Sequence, residues 1–314
     1  MSANNEDLEG ASNIMMYCAA CGIGGAGDIK LKNCTACNLV RYCSVKCQKE
    51  HRPKHKKECK KRAAELRDEI LFKQPESRDL GDCPICCIPL PINALGSTLM
   101  ACCCKMVCNG CNIANQMREV QDSLENKCPF CRHPAPYNEK ETKINLMRRI
   151  EVNDPVAMRQ MGQFCYDEGD YSGAFEYFSK AAELGNAVAH YLLSVMYHEE
   201  KVKMDEKKKM YHSEQAAMGG NPFARKNLAN IEWKRGRKLR AVKHGIIGAK
   251  LGDDDALKSL KLAYGMGLVS KEDFAAALRG HQTAVNATKS PAREAAEAYY
   301  QMKMKKKEET AELR

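Results

Sequence analysis

The sequence predicts a mainly α-helical chain in which two small cysteine-rich modules precede an α-solenoid of helix-turn-helix repeats. The first observation is that seventeen of the eighteen cysteines lie between Cys18 and Cys131. The second is that the composition changes at about residue 144 to alanine, leucine and aromatic residues at helical spacing. We therefore expect modules at 15–62 and 82–136, a linker helix and loop at 63–81, repeats at 144–268, and capping helices with a basic tail at 269–314.

The composition indicates the cellular compartment and, through it, the oxidation state of the cysteines. No stretch of about 18 apolar residues exists, so a membrane-spanning helix is not expected. The polar, acidic start MSANNEDLEG is unlike a secretory signal. We expect a cytoplasmic or nuclear protein whose thiols stay reduced. Repeated CxxC pairs then indicate zinc ligands rather than disulfides. The formal net charge of +10 permits a nucleic-acid or acidic partner without specifying one.

The first module carries eight potential metal donors within 42 residues. They are arranged as Cys18-x2-Cys21, Cys34-x2-Cys37, Cys43-x3-Cys47, and then His55 and Cys59. Zinc takes four thiolate or imidazole ligands in a tetrahedron, so eight donors predict two closed sites. A segment this short cannot bury enough apolar surface to fold alone, so we expect metal binding to supply its folding energy.

The stretches CAACG and CTACNLVRYCSVKCQKEHRPKHKKEC resemble the MYND-type zinc finger. The resemblance implies two interleaved, cross-braced zinc sites, one formed by Cys18, Cys21, Cys43 and Cys47 and the other by Cys34, Cys37, His55 and Cys59. His51 is a competing ligand, but His55 lies one helical turn before Cys59, so both can face one metal. The family's usual role is protein interaction through short proline-containing peptides.

The second module opens with Cys83-x2-Cys86, closes with Cys128-x2-Cys131, and holds the stretch MACCCKMVCNGC between them. It resembles a RING finger, which also has two interleaved zinc sites. Lys105 stands where that family has a histidine, and a lysine ammonium has no lone pair for a metal. By spacing, six ligands are expected at Cys83, Cys86, Cys108, Cys111, Cys128 and Cys131, and two more must come from Cys102, Cys103 and Cys104.

The sequence leaves open which two of these three consecutive cysteines bind the metal. On an extended chain, Cys102 and Cys104 share a face, which favours that pair. The family alignment instead favours Cys103 with a neighbour. In either case the two modules together predict four zinc ions, two in each module.

The third region repeats with a period typical of helical solenoids. Its marks are Asn153, Gly185, Gly220 and Gly252, at intervals of 32, 35 and 32 residues. Glycine can end a helix in the left-handed conformation, and the next residue can cap the following helix; these caps are Asn186, Asn221 and Asp253. The pattern resembles Sel-one-like repeats, relatives of the tetratricopeptide family, across about 152–265.

The repeat resemblance implies stacked helix pairs with a concave surface for partners. We expect large residues to fill the layers between helices, among them Phe178, Leu228, Leu239 and Leu260. The segments SKEDFAAALRGHQTAV and SPAREAAEAYYQMK predict two closing helices that cap the stack. Ser270 and Ser290 each have an acidic residue three or four places on, which indicates a helix start.

The RING resemblance implies a ubiquitin ligase, which holds a ubiquitin-conjugating enzyme and does no covalent chemistry itself. Its docking face would use Ile85 and Pro129, and Arg132 would bridge ubiquitin and the enzyme. The first module and the repeats would recruit substrate peptides. The alternative is a non-catalytic zinc-finger adaptor, favoured by Lys105 and by Met117, which replaces the family's usual aromatic residue in the central helix.

A nucleic-acid-associated regulator is the least favoured hypothesis. The basic stretch Lys234–His244 continues to Ile246 with Leu239 and Val242 at helical spacing, so a repeat helix with a solvated face is favoured. The basic segment 46–62 has no interleaved aromatic residues to stack on bases. We therefore expect protein partners, with nucleic acid disfavoured and no membrane.

Overall fold

The computed structural model describes residues 17–25 and 29–312, without the side chains of residues 94 and 306–312. The polar start, residues 15 and 16 of the expected first module, and residues 313–314 lie outside the described residues. The described chain has twelve α-helices and four short strands, so the mainly α-helical prediction is confirmed. It divides into two compact units, Met1–Lys73 and Gln74–Arg314. None of the described helices is long and apolar enough to cross a membrane.

The first unit contains a small antiparallel sheet and one long helix. Strands β1 (Lys32–Asn33) and β2 (Arg41–Tyr42) pair with each other. Helix α1 (Val45–Leu71) begins where the side chain of Ser44 accepts a hydrogen bond from the Cys47 N–H, a typical N-cap. One buried cluster of this unit consists of Cys18, Cys34, Cys37, Val40 and Tyr42.

The second unit contains the second cysteine-rich module, preceded by a short segment that starts at Gln74. Strands β3 (Ser97–Met100) and β4 (Lys105–Cys108) form an antiparallel hairpin. The turn of this hairpin is the segment 101–104, which contains the three consecutive cysteines. Helix α2 (Asn109–Gln121) follows β4 directly. Leu90 and Val107 are buried in one cluster with Cys83 and Cys108, so this module has apolar packing of its own.

Eight helices form the repeat region. Their bounds are Glu139–Glu151 (α3), Pro155–Asp167 (α4), Tyr171–Glu183 (α5), Ala187–His198 (α6), Glu206–Met218 (α7), Pro222–Lys234 (α8), Lys238–Lys250 (α9) and Asp254–Gly265 (α10). Each helix packs against the next one along the chain. This nearest-neighbour packing is what a solenoid of helix pairs requires.

The turns inside the helix pairs follow the sequence prediction. Gly185, Gly220 and Gly252 have φ angles of 82°, 86° and 91°, a left-handed conformation in which a Cβ would be strained. The side chain of the next residue caps each following helix by accepting a hydrogen bond from a backbone N–H; these residues are Asn186, Asn221 and Asp253. The first pair uses Asn153 and Asp154 in the same two positions.

Large apolar side chains alternate with alanines in the solenoid core. Phe178 is buried among Ala174, Ala181 and other residues of its cluster, and Leu228 and Leu260 are also buried. The prediction for Leu239 is wrong, because this side chain is 68% exposed. It lies in the first turn of α9, and the buried stripe of that helix begins at Ala241 and Val242.

The two closing helices pack against different parts of the second unit. Helix α11 (Lys271–Asn286) packs on α9 and α10 of the repeat region. Helix α12 (Pro291–Glu312) instead packs on α2 of the second module. Small residues allow this approach, since a Cβ on Gly110 of α2 would lie only 2.9 Å from the backbone of Ala292 and Arg293.

The second module and the segment before it lie against the turns of the solenoid. Asn221 Nδ2 donates a hydrogen bond to Asp79 Oδ2 at 2.6 Å. A Cβ on Gly252 would lie 3.7 Å from Ile92 Cδ1. The hairpin turn shares a buried cluster with α3 and α4; its members are Ala101, Cys104, Leu146, Ala157 and Met161. The module and the solenoid therefore share a packed interior.

Candidate metal centres

Site 1 lies at the junction of the first module's loop and the start of α1. Its four sulfurs lie within 4.8 Å of one another and belong to Cys18, Cys21, Cys43 and Cys47. Cys43 Sγ is 3.6 Å from Cys21 Sγ and 3.5 Å from Cys47 Sγ. Because α1 starts just after β2, its first turn brings Cys47 beside Cys43.

Site 2 joins the second CxxC pair to the middle of α1. Its donor atoms belong to Cys34, Cys37, His55 and Cys59. Cys37 Sγ lies 3.2 Å from His55 Nε2, and Cys34 Sγ lies 3.7 Å from Cys59 Sγ. The competing histidine, His51, is outside this group, and its Nδ1 lies 3.1 Å from the Tyr42 hydroxyl.

Site 3 lies where strand β4 of the second module meets helix α2. Its sulfurs belong to Cys83, Cys86, Cys108 and Cys111. Cys86 Sγ lies 3.8 Å from Cys108 Sγ, and the Cys108 N–H donates to Cys83 Sγ at 3.4 Å. The end of β4 and the first turn of α2 supply the second cysteine pair, so the strand-to-helix junction holds both side chains.

Site 4 uses two of the three consecutive cysteines. Its sulfurs belong to Cys102, Cys103, Cys128 and Cys131. Cys102 Sγ lies 3.3 Å from Cys131 Sγ, and Cys103 Sγ lies 3.9 Å from Cys128 Sγ. The six cysteines predicted by spacing all fall within sites 3 and 4. The two remaining donors are Cys102 and Cys103, as the family alignment favoured.

Cys104 lies apart from the sulfur cluster, contrary to the argument that pairs it with Cys102. Its side chain is buried, and its sulfur points to the carbonyl oxygen of Ala101 at 3.9 Å. The extended-strand argument fails because residues 101–104 form a turn, and Cys104 has a φ of 54°. Side chains in a turn do not alternate between two faces as they do in a strand.

The four sites fit zinc by donor type and by spacing. Every donor atom is a cysteine sulfur or a histidine nitrogen, the set that zinc prefers. Tetrahedral Zn–S bonds of about 2.3 Å put two sulfurs about 3.8 Å apart. The measured sulfur pairs of site 4 bracket that separation at 3.3 and 3.9 Å. Four clusters are therefore each positioned to bind one zinc ion.

Backbone N–H groups favour the thiolate form of one cysteine in sites 1 and 3. Burial acts to raise the pKa of Cys18, but backbone hydrogen bonds from Cys21 and Cys43 contribute to lowering its pKa to about 6. Burial also acts to raise the pKa of Cys83, and backbone hydrogen bonds, the largest from Cys108, lower it to about 7. A thiolate is the metal-binding form of cysteine.

Other thiols in the same clusters are harder to ionise without a cation. The side chain of Cys47 makes the largest contribution to raising the pKa of Cys43 to about 12. Burial is the main cause that raises the pKa of Cys59 and that of Cys103 to about 12. Several thiolates can be held together only if a positive charge lies between them, and a divalent ion meets this requirement.

The sequence-predicted partner residues lie on the second module at different exposures. Ile85 is 41% exposed, and Pro129 is half-buried. Arg132 Nη1 donates to Asn115 Oδ1 at 2.9 Å and lies 3.8 Å from Glu119 Oε1. Phe130, which the sequence reasoning missed, is 43% exposed beside Pro129. The signal that could have identified it is the aromatic residue between the ligands of the CPFC motif.

A second candidate site is a groove among helices α8, α9 and α10. It has a volume of about 350 Å³. Three of its lining side chains, Trp233, Leu262 and Met266, are 38%, 68% and 61% exposed. At its edge, Lys226 pairs with Asp255 at 2.6 Å. An apolar concavity with a polar edge is the usual form of a binding site, and the sequence predicted such a surface in the repeats without locating it.

Comparison with known proteins identifies the class of the first module. The family model of the MYND finger matches residues 18–59, so the first module is a MYND-type zinc finger. The chain is similar to the human histone-lysine N-methyltransferase SMYD3, with 53% identity over 34 residues. These residues are 11% of this chain and 8% of SMYD3. The match therefore covers a small part of that enzyme's length, and the methyltransferase activity in its name is a property of SMYD3.

Two solved structures are similar to part of the chain. One is a protective antigen of uropathogenic Escherichia coli with an SLR fold, at 21% identity and a TM-score of 0.40, over 47% of this chain and 34% of that one. The other is a Sel1 repeat protein from Oxalobacter formigenes, at 22% identity and a TM-score of 0.40, over 58% of this chain and 73% of that one. The solenoid assignment rests on the helices, turns and caps described above.

Proposed function

We propose that this protein is a zinc-dependent interaction platform whose second module recruits a ubiquitin-conjugating enzyme. The order of the cysteines carries the proposal. Of the eight cysteines in the two clusters, the first, second, fifth and sixth group as site 3, and the third, fourth, seventh and eighth group as site 4. This is the interleaved order of RING fingers, and it supports the resemblance despite Lys105.

We assign one zinc ion to each of sites 1 to 4, with the four side chains of each cluster as its ligands. Four protein donors complete a tetrahedron, so these ions would be structural. Their role would be to fix the loops that carry the partner-binding side chains. Ligand assignment at each site is tested by single Cys→Ser variants and a zinc count from native mass spectrometry.

Two exposed apolar side chains support a docking face on the second module. Ile85 lies between the ligands Cys83 and Cys86, and Phe130 lies between Cys128 and Cys131. Because metal knuckles hold both loops, the face would be preorganised and would lose little entropy on binding. Arg132 would then position ubiquitin against the enzyme, by charge and hydrogen bonding rather than by covalent chemistry.

The MYND finger and the groove of helices α8 to α10 would recruit the protein to be modified. The MYND finger would bind a proline-containing peptide, as its family does. The groove offers Trp233, Leu262 and Met266 to the apolar side chains of a second segment. Two separate contacts on one substrate would raise its effective concentration at the second module.

An autoubiquitination assay of the zinc-loaded chain with a panel of conjugating enzymes tests the proposal. We expect ubiquitin transfer with at least one enzyme, and a loss of tenfold or more for Ile85→Ala and for Phe130→Ala. Leu95→Ala is the matched control, because Leu95 is an apolar residue of the same module that is 82% exposed. Arg132→Ala should slow transfer while enzyme binding, measured by calorimetry, stays unchanged.

The second candidate function is a non-catalytic adaptor built from the same modules. The contacts of Arg132 favour it, because Asn115 and Glu119 already engage the guanidinium that a ligase would turn towards ubiquitin. Failure of the zinc-loaded chain to bind every enzyme of the panel would contradict the ligase proposal and leave the adaptor. Transfer that is unchanged in Ile85→Ala and Phe130→Ala would contradict the proposed docking face.

A further inference from the structure

Arg293, in the first turn of α12, reaches across to the loop that follows the first cysteine pair of the second module. Its Nη2 donates to the Ile88 carbonyl at 3.0 Å and lies 3.6 Å from Cys86 Sγ. Its Nη1 donates to the Pro89 carbonyl at 2.7 Å and to the Thr288 carbonyl at 2.8 Å. One side chain therefore ties the last helix of the chain to a sulfur of site 3 and to the backbone beside it.

The packing of α12 on α2 holds this arginine in position. A Cβ on Gly110 would lie 2.9 Å from Ala292 C and from Arg293 N, so the two helices touch at backbone distance. Ala296, one turn further along α12, is buried. Gly110 lies between the site 3 residues Cys108 and Cys111, so the contact is made directly at the metal-binding turn.

Arginine is chemically suited to this position. Its planar guanidinium presents several N–H groups in a fixed fork, which lets it bind three carbonyls and a thiolate at once. A positive charge near a zinc-bound sulfur offsets part of the negative charge of a four-thiolate site. Partners of metal ligands commonly change metal affinity by 10–100-fold when they are removed.

We propose that Arg293 is a positioning residue of site 3, so that the C-terminal helix α12 forms part of this zinc site. Arg293 holds the loop 86–89 in the conformation that places Cys86 on the metal. This role concerns zinc retention and is independent of whether the module binds a conjugating enzyme. Sites 1, 2 and 4 have no such contact with Arg293 among the hydrogen bonds of the described residues.

Cysteine labelling of the zinc-loaded, full-length chain tests the proposal site by site. A chelator removes zinc while N-ethylmaleimide modifies each cysteine as it becomes free, and peptide mass spectrometry reports the rate at each position. In Arg293→Gln we expect the site 3 cysteines to be modified about tenfold faster or more, a size set by the effect of removing a ligand partner. The cysteines of sites 1 and 2 should keep their rates. Arg279→Gln, which removes an exposed arginine of α11, is the charge-matched control.

Two further variants separate positioning from charge and from general stability. Arg293→Lys keeps the charge but loses the fork, so we expect an intermediate rate at site 3. Gly110→Ala keeps the arginine but displaces α12, so it should also accelerate labelling of site 3. Wild-type labelling rates at site 3 in Arg293→Gln would overturn the proposal, whatever the result for Gly110→Ala. Equal acceleration at all four sites would also overturn it, because it would indicate a global loss of stability.

Discussion

The two zinc modules have the same ligand order but differ in the apolar packing around them within their own units. In each module the first, second, fifth and sixth donors make one cluster, and the other four make the second. The apolar cluster described in the first module has five buried residues, three of which are cysteines. The second module adds Leu90 and Val107, the contact of Arg293, and a cluster shared with α3 and α4.

This difference shows what one ligand pattern can and cannot determine. Interleaved donors fix the path of the chain around two metals in both modules. In the first module, the metals are also most of the core, so its folding energy would come mainly from zinc. In the second, apolar packing against the solenoid supplies a further share.

The largest effect should follow loss of one ligand from the first module. In Cys37→Ser we expect the zinc count to fall from four to two, because the interleaved sites 1 and 2 depend on each other. Native mass spectrometry measures the count. Cys165→Ser is the control, since this half-buried cysteine lies in the core of the repeats. A count of three with a folded first module would show that site 1 is independent of site 2.

The equivalent change in the second module should have a more limited effect. In Cys103→Ser we expect the count to fall from four to three, because Leu90, Val107 and the solenoid still support site 3. Cys104→Ser should keep four zinc ions, although it places a hydroxyl in an apolar cluster and lowers the melting temperature. If Cys104→Ser lost a zinc ion and Cys103→Ser did not, the assignment of site 4 would be wrong.

A cavity in the core shared by the second module and the solenoid should destabilise the second unit and leave the first unit unaffected. Leu146 is fully buried in the cluster that joins the hairpin turn to α3 and α4. We expect Leu146→Ala to destabilise the second unit by about 2–5 kcal/mol, as for other buried leucines. Urea unfolding followed by circular dichroism measures this loss. Leu262→Ala, at a 68% exposed leucine, is the control, and the zinc of the first module should be retained in both variants.

The smallest expected effect is the difference in stability loss between two N-cap variants of the solenoid. Asn186→Ala removes one N-cap and should cost about 1 kcal/mol. Asn221→Ala removes the same kind of cap and also the hydrogen bond to Asp79, so it should cost about 1 kcal/mol more. Equal unfolding free energies for the two variants would mean that the hydrogen bond between Asn221 and Asp79 contributes nothing to stability.

Local patterns made much of the architecture predictable. The spacing of the CxxC pairs predicted which neighbouring cysteines would face one metal, because two residues between cysteines allow this. The grouping of these pairs into interleaved sites was implied by the resemblance to MYND and RING fingers. The glycines at 185, 220 and 252 predicted the turns, because few other residues tolerate their positive φ angles. The asparagines that follow predicted helix starts for the same local reason.

Features that depend on long-range packing were not predictable. The choice of Cys103 over Cys104 depends on a turn whose conformation the hairpin and α3 impose. Leu239 fits a helical stripe, yet the neighbouring helix covers Val242 instead. The contact of Arg293 with Cys86 joins residues 207 positions apart, and no local pattern in the sequence indicates it.

We infer that zinc carries the fold of the first module, whereas packing on the solenoid supports the second. Peptide-resolved hydrogen exchange after chelation distinguishes these two kinds of support. We predict that amides of residues 29–62 lose their protection on zinc removal, while those of residues 140–265 keep theirs and those of α2 are only partly exposed. Protection of residues 29–62 that survives chelation, or loss of the solenoid together with the first module, would contradict the claim.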